Sequence, residues 1–172
     1  KFLCVRYGNV LGSRGSVVPI FINQIKSGKK VTITDPSMTR FTITMGEALE
    51  VILRALKNGI GGEVFVPKLK AYRVGDMKDA ILDLLNSSNE AEIISIRAGE
   101  KIHESLISND ELINTFEKNG DYIIIDKQLQ DSGYMDNNNV IRTKLDHQYS
   151  SDKVDILTID KLKELLISEK FI

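Results

Sequence analysis

The spacing of apolar residues gives the first reading of the chain. Phe2, Leu3, Cys4, Val5 and Tyr7 form a run broken only by Arg6. It predicts a strand from Phe2 to Tyr7, buried on at least one side, with Cys4 as a small core residue. Gly8 to Ser16 carries Gly8, Gly12, Gly15, Ser13 and Ser16, and reads as a loop. From Val18 the apolar positions fall at Val18, Phe21, Ile22 and Ile25, the one-sided stripe of an amphipathic helix with Pro19 in its first turn and Gly28 at its end. Val31 with Ile33, and Phe41 with Ile43, predict two short strands around the turn Thr34-Asp35-Pro36-Ser37. A second helix opens at Gly46, presents Leu49, Ile52, Leu53 and Leu56 as its apolar face, and closes at Asn58-Gly59.

Glu63 to Val66 is a strand ended by Pro67, and Val74, Met77, Ile81, Leu84 and Leu85 stripe a third helix. Glu92 to Ile96 and Tyr122 to Ile125 predict further strands. Strands and helices alternate as far as Arg97, which predicts an α/β layer arrangement. Gln128 to Asp152 is polar, Asn-rich and without clear period, and Ile159, Leu162, Leu165 and Leu166 stripe a closing helix. The chain opens on Lys1-Phe2-Leu3 inside what reads as a strand already under way, so it is expected to be a piece of a longer protein.

Composition narrows the classes. With 23 basic and 24 acidic residues the formal charge is 23 − 24 = −1, which argues against a nucleic-acid binder working through bulk positive charge. No apolar stretch approaches the roughly 20 residues of a membrane helix. A lone cysteine excludes an internal disulfide framework and fits a reducing cytoplasm. His103 beside Glu104 is a possible base with its orienter, but the one other histidine, His147, gives little support for a metal site. The plainer expectation is a helix starting near Lys101 with both side chains toward water or a neighbouring loop. Arginine is scarce, and Arg14, Arg40 and Arg97 sit in or beside loops next to Gly, Ser or Thr. The guanidinium fork suits phosphate, so loop arginines at the ends of α/β elements point to a phosphorylated ligand, although the same placement suits surface ion pairs. The glycine loop matches neither the dinucleotide nor the phosphate-loop spacing.

The motifs themselves resemble a known family. Arg6-Tyr7-Gly8-Asn9-Val10 followed by Gly12-Ser13-Arg14-Gly15-Ser16-Val17-Val18-Pro19 is similar to the extended short-chain dehydrogenase/reductases of bacterial polysaccharide biosynthesis, specifically the UDP-N-acetylglucosamine 4,6-dehydratases that also invert C5. Thr34-Asp35-Pro36-Ser37-Met38-Thr39-Arg40-Phe41, Gly62-Glu63-Val64-Phe65-Val66-Pro67-Lys68, Ile96-Arg97-Ala98-Gly99-Glu100-Lys101-Ile102-His103-Glu104 and Tyr149-Ser150-Ser151 follow that family's pattern in the same order. Ala98 stands where the family has Pro, the Lys70 to Gly75 segment departs from its pattern, and Gln128 to Asn139 matches nothing in it.

The resemblance implies the C-terminal half of a Rossmann-like, NADP- or NAD-binding enzyme: residues 1–127 as the last sheet strands with a small α/β sugar-nucleotide lobe, and residues 128–172 as a tail with a closing helix. It implies that the catalytic Tyr-x-x-x-Lys pair lies outside this chain, which then carries no catalytic residue and no metal. Tyr7 and Gly8 would pass the nicotinamide carboxamide. Asn9 would donate to the diphosphate or sugar, Val17 and Val18 would offer backbone to uracil, Arg40 and Arg97 would grip the diphosphate, and Glu100 would accept from ribose hydroxyls. By the same resemblance Arg14 and Lys68 would lie near the sugar or pyrophosphate, and His103 and Glu104 would be structural residues. The implied partner is UDP-N-acetylglucosamine, with a cytoplasmic homo-oligomer as the intact form and neither nucleic acid nor membrane. A 4-epimerase of the same family, or a non-catalytic UDP-sugar-binding lobe, shares these motifs.

Overall fold

A computed structural model describes residues 2–137 and 139–172. The elements run β1 (Cys4–Val5), β2 (Asn9–Val10), α1 (Val17–Lys26), β3 (Val31–Ile33), β4 (Thr39–Ile43), α2 (Met45–Asn58), β5 (Val64–Val66) and β6 (Lys70–Arg73). They continue with α3 (Val74–Leu84), β7 (Ala91–Ile93), β8 (Ser105–Ile107), β9 (Thr115–Lys118), β10 (Asp121–Ile124), α4 (Lys127–Asp131), α5 (Tyr134–Asn137), β11 (Ile141–Arg142), β12 (Tyr149–Ser150) and α6 (Ile159–Ser168). The architecture is mixed α/β, as the alternation predicts.

The largest sheet has the order β1-β5-β10-β9-β11, with β1 and β5 parallel and the remaining pairs antiparallel. A second sheet, β2-β4-β6, aligns Asn9 with Thr42 and Arg40 with Tyr72. Two small pairs, β3 with β7 and β12 with β8, complete the strands. The largest apolar core lies among α1, α3 and α6, where Val18, Phe21, Met77, Ile81, Leu162 and Leu166 are buried. On the opposite face of the second sheet, Phe41 and Ala71 pack with Ile107, Tyr122 and Tyr149.

Helix α2 shows where periodicity misleads. Its start is fixed by a capping box, in which the Thr44 hydroxyl accepts from the Glu47 amide at 3.2 Å and the Glu47 carboxylate accepts from the Thr44 amide at 2.7 Å. Its bulky leucines do not face the core. Leu49, Leu53 and Leu56 are 52%, 63% and 65% exposed, whereas Ala48, Val51 and Ala55 are buried. The smaller residues let the helix axis approach the sheet, and Arg54 holds it there through paired 2.9 Å contacts to the Asp121 carboxylate of β10.

The first strand is shorter than predicted, and Cys4 is exposed. Among the described residues β1 pairs only with β5, and strand alternation turns Cys4 to the face opposite Leu3 and Val5, which pack against the sheet core. The segment from residue 128 is not wholly irregular. Asp126 caps α4, and Tyr134 of α5 is buried beneath the sheet. No helix among the described residues is long and apolar enough to cross a membrane.

One buried charge ties that segment to the strands. Glu63 is 1% exposed, and its carboxylate accepts from the Ile60 amide at 2.8 Å, the Gly61 amide at 2.7 Å and the Tyr134 hydroxyl at 3.0 Å. The Lys118 ammonium donates to the Tyr134 hydroxyl at 3.3 Å and to the Asn58 carbonyl at 3.0 Å. Burial pushes the Glu63 carboxyl upward, but the amides and the phenol outweigh it and hold the group below the usual carboxylate range. Its stabilising contribution is therefore complete at neutral pH and lost as pH falls through the lowered folded value. Glu63→Ala leaves two amides and a phenol without their acceptor, and we expect it to lower urea-unfolding stability by about 2–4 kcal/mol at pH 7, with a smaller difference in acid.

Candidate functional site

A cleft of about 240 Å³ opens where the glycine loop enters α1, beside the second sheet and the loop that follows β7. Its walls include Asn9, Ser16 and Val17 from the first segment, Arg40 and Tyr72 from β4 and β6, and Arg97 and Glu100 from the loop. Five of the sequence-predicted ligand residues, Asn9, Val17, Arg40, Arg97 and Glu100, meet here although up to 91 residues separate them in sequence, from Asn9 to Glu100.

Arg40 and Glu100 are oriented by their neighbours. The Arg40 guanidinium donates through Nη1 to the Thr39 and Ile102 carbonyls at 2.8 and 3.1 Å. Its Nη2 and Nε face the Glu100 and Glu104 carboxylates at 3.7 Å each, a separation that leaves both edges able to exchange partners. Glu100 accepts from the Thr34 hydroxyl at 3.3 Å and from the Arg97 backbone amide at 3.2 Å, so its carboxylate is held at the cleft wall. Arg97 is exposed, and its guanidinium makes no hydrogen bond or ion pair among the described residues. The site thus has one anchored cation and one free to close on an anion.

Glu104 was expected as a structural residue and does more than fill space. Its carboxylate accepts from the Phe41 amide at 3.2 Å and from the Asn9 side chain, while facing Arg40. Burial pushes its carboxyl above the usual carboxylate range, against the opposing pull of Arg40. It joins Tyr7, Gly8, Asn9 and Lys101 in lining an adjoining cleft of about 230 Å³ at the end of β1.

The predicted helix at Lys101 does not form. The segment runs extended beside β4, where the Thr39 amide donates to the Ile102 carbonyl at 3.0 Å and Thr39 bridges His103. The His103 Nδ1 meets the Thr39 hydroxyl at 2.8 Å, and that hydroxyl meets the Ser151 hydroxyl at 2.7 Å. His103 is therefore committed to holding the loop against the strand. Among the described residues no group of three or more His, Cys, Asp or Glu is arranged to hold a metal.

Three predicted residues lie outside the cleft. Val18 is 1% exposed and belongs to the core, because the helix stripe that begins there turns it inward. Arg14 is exposed on the glycine loop and is not part of the cleft wall. Lys68 sits beyond β5, where its ammonium contacts the Glu117 carboxylate at 2.5 Å and lines a separate cavity of about 520 Å³ between α2 and α6. Conversely, Ser16, Thr34, Tyr72 and Glu104 shape the clefts without having been singled out as ligand contacts. Thr34 and Glu104 lay within recognised motifs, whereas Tyr72 carries no local signal because a lone aromatic in a strand reads as core.

The fit to a dinucleotide cofactor is partial. Tyr7 and Gly8 border the cleft at the end of β1, the position where open α/β sheets take ligands. Gly8 has a packing reason of its own, since a Cβ there would lie 2.3 Å from the Phe41 Cβ. These residues offer one edge for a nicotinamide but no glycine-rich turn for a pyrophosphate.

Against this geometry, similarity to known proteins is informative. A UDP-glucose 4-epimerase of Rickettsia rickettsii (strain Sheila Smith) is 39% identical across 99% of this chain and 50% of its own length. The X-ray structure of Pen from Bacillus thuringiensis superposes on the whole chain with a TM-score of 0.88 at 33% identity, using 51% of its own residues. A UDP-glucuronic acid 4-epimerase mutant from Bacillus cereus, solved with NAD and a fluorinated UDP-glucuronic acid, shares the fold over 58% of this chain and 34% of its own at a TM-score of 0.53 and 22% identity. The chain thus spans about half the length of the relatives it matches. Residues 1–126 match the family described as polysaccharide biosynthesis protein, and with the relatives above this makes the chain a member of that family, built on the α/β fold of the extended short-chain dehydrogenase/reductases.

Proposed function

We propose that this chain supplies the sugar-nucleotide-binding part of an NAD(P)-dependent enzyme acting on UDP-N-acetylglucosamine in polysaccharide biosynthesis. The observation that carries the reading is the convergence of Asn9, Arg40, Arg97 and Glu100 on one cleft beside the start of α1. Arg97 and the outward edges of Arg40 present donors suited to a diphosphate, and Glu100, fixed by Thr34, presents an acceptor suited to ribose hydroxyls. Val17 at the cleft wall offers backbone to the base, and Asn9 donates toward the diphosphate or the sugar. Arg14 is near enough in sequence to join a bound ligand from the glycine loop, whereas Lys68, paired with Glu117 outside the cleft, is dropped from the ligand set.

For the chemistry, the sequence motifs favour loss of water from the sugar: oxidation at C4, elimination across C5–C6, and reduction at C6. A bound nicotinamide would supply the hydride acceptor and donor, with Tyr7 and Gly8 along its edge. The Rickettsia relative favours a second reading, 4-epimerisation, in which oxidation at C4 is followed by reduction from the opposite face. This chain's own residues serve both reactions alike, since they hold and orient the nucleotide.

Two measurements test this. Titrating the 172-residue chain with UDP by calorimetry is expected to show saturable binding. Arg97→Ala and Arg40→Ala are each expected to weaken it roughly ten- to hundredfold, the scale of a charge-assisted contact. Unchanged affinity in both variants would remove the phosphate assignment. Incubating the natural protein that carries this chain with UDP-N-acetylglucosamine and NAD(P) then separates the chemistries by mass spectrometry. A product lighter by one water is expected from dehydration, and a product of unchanged mass with inverted C4 from epimerisation.

A further inference from the structure

Tyr72 lies in the Lys70 to Gly75 segment that departs from the family pattern, and it forms part of the cleft wall. The residue is 2% exposed, yet its hydroxyl takes part in no hydrogen bond among the described residues. The hydroxyl oxygen is not among the fully buried unpartnered atoms, so it keeps access to the cleft that the residue lines and can donate to what occupies it. A second hydroxyl in the same wall, Ser16 Oγ, is fully buried without a partner among the described residues, at the cap of α1, and does not bond to that helix's amides, an arrangement that is unfavourable unless something meets it.

The surroundings say what kind of group these hydroxyls meet. Tyr72 is the cross-strand partner of Arg40, so their side chains leave adjacent strands about 5 Å apart on the same face. The ten-residue helix α1 opens at Ser16 with its first amides unpaired and no acidic residue in its first turn. Glu104 and Arg40 both act on the phenol electrostatically, and burial is the main cause that raises its pKa, so it stays a neutral donor. Donors therefore cluster at this end of the cleft, while the acceptor Glu100 stands in the loop wall.

We propose that Tyr72, assisted by Ser16, donates a hydrogen bond to a phosphoryl oxygen of the nucleotide and makes the cleft selective for phosphorylated over unphosphorylated nucleosides. The inference rests on the sugar-nucleotide reading of the cleft and adds to it a contact from the segment where this chain departs from its family.

The test compares UDP with uridine, both titrated by calorimetry into the 172-residue chain and its Tyr72→Phe and Ser16→Ala variants, with the thermal midpoint of each recorded. Tyr72→Phe keeps the ring and removes only the hydroxyl. It is expected to weaken UDP roughly tenfold, to leave uridine unchanged, and not to lower the midpoint. Ser16→Ala is expected to show the same pattern with a smaller loss. Wild-type affinity for UDP in Tyr72→Phe, an equal loss for uridine, or a lowered midpoint would each overturn the proposal, the last by assigning the hydroxyl to the core. A folded wild-type chain that binds no UDP would instead overturn the underlying reading of the cleft, and the Tyr72 contact with it.

Discussion

The cleft depends on the anchoring of Thr39. Its amide donates to the Ile102 carbonyl, and its hydroxyl meets both His103 and Ser151. Ser151 in turn donates to the Thr39 carbonyl at 3.1 Å and accepts from the Glu104 amide at 2.9 Å. Thr39 is 4% exposed and Ser151 is fully buried, so the contacts between these two are dry and an unmet partner there is costly, whereas His103 reaches Thr39 from an exposed position. Three segments distant in sequence are joined at one point: strand β4, the loop carrying Arg97 to Glu104, and the residues around β12. Arg40 follows Thr39 directly and shares the Ile102 carbonyl with it, so the same knot aims the guanidinium.

The electrostatics follow from that arrangement. Arg40 is balanced by Glu100 and Glu104, and the chain as a whole is close to neutral. A nearly neutral protein has no strong long-range field to draw in an anion, so recognition must come from donors placed at short range. The two 3.7 Å ion pairs are long enough to be exchanged for a ligand's oxygens, whereas the carbonyl contacts of Arg40 fix where its charge sits. Asn9 and Arg40 are linked through the same Glu104 carboxylate, which couples the first segment to the second sheet.

Glycine and small residues do comparable positional work in the framework. Gly8 permits β4 to pass close to the end of β1, and Ala48, Val51 and Ala55 let α2 lie close on the larger sheet. The leucines of α2 then line its outer, exposed face. In both cases closeness of backbone to backbone, rather than side-chain volume, sets the distance between layers.

Much of this was legible in the sequence. The stripe of α1, the closing helix, the strand before Pro67 and the alternation of elements are local patterns, and local periodicity is what a sequence exposes directly. The loop arginines drew attention because no helical face accounts for Arg14, Arg40 or Arg97. The partnership of Thr39 with His103 and Ser151, the outward turn of Leu49, Leu53 and Leu56, the exposure of Cys4, and the burial of Tyr134 were not legible. Each depends on which surfaces meet after the chain folds. A helix with two apolar sides carries no mark saying which one the sheet will take, and an edge strand reads like a central one until its neighbours are counted. The sequence by itself determined the types of the strongly periodic elements, the family and the candidate phosphate-binding residue types, but not the extended path at Lys101 or the short helices after residue 126. Only the tertiary structure decided which of them share a cleft, because hydrogen bonds and packing between distant segments, rather than spacing along the chain, bring Asn9, Arg40, Tyr72, Arg97 and Glu100 to one place.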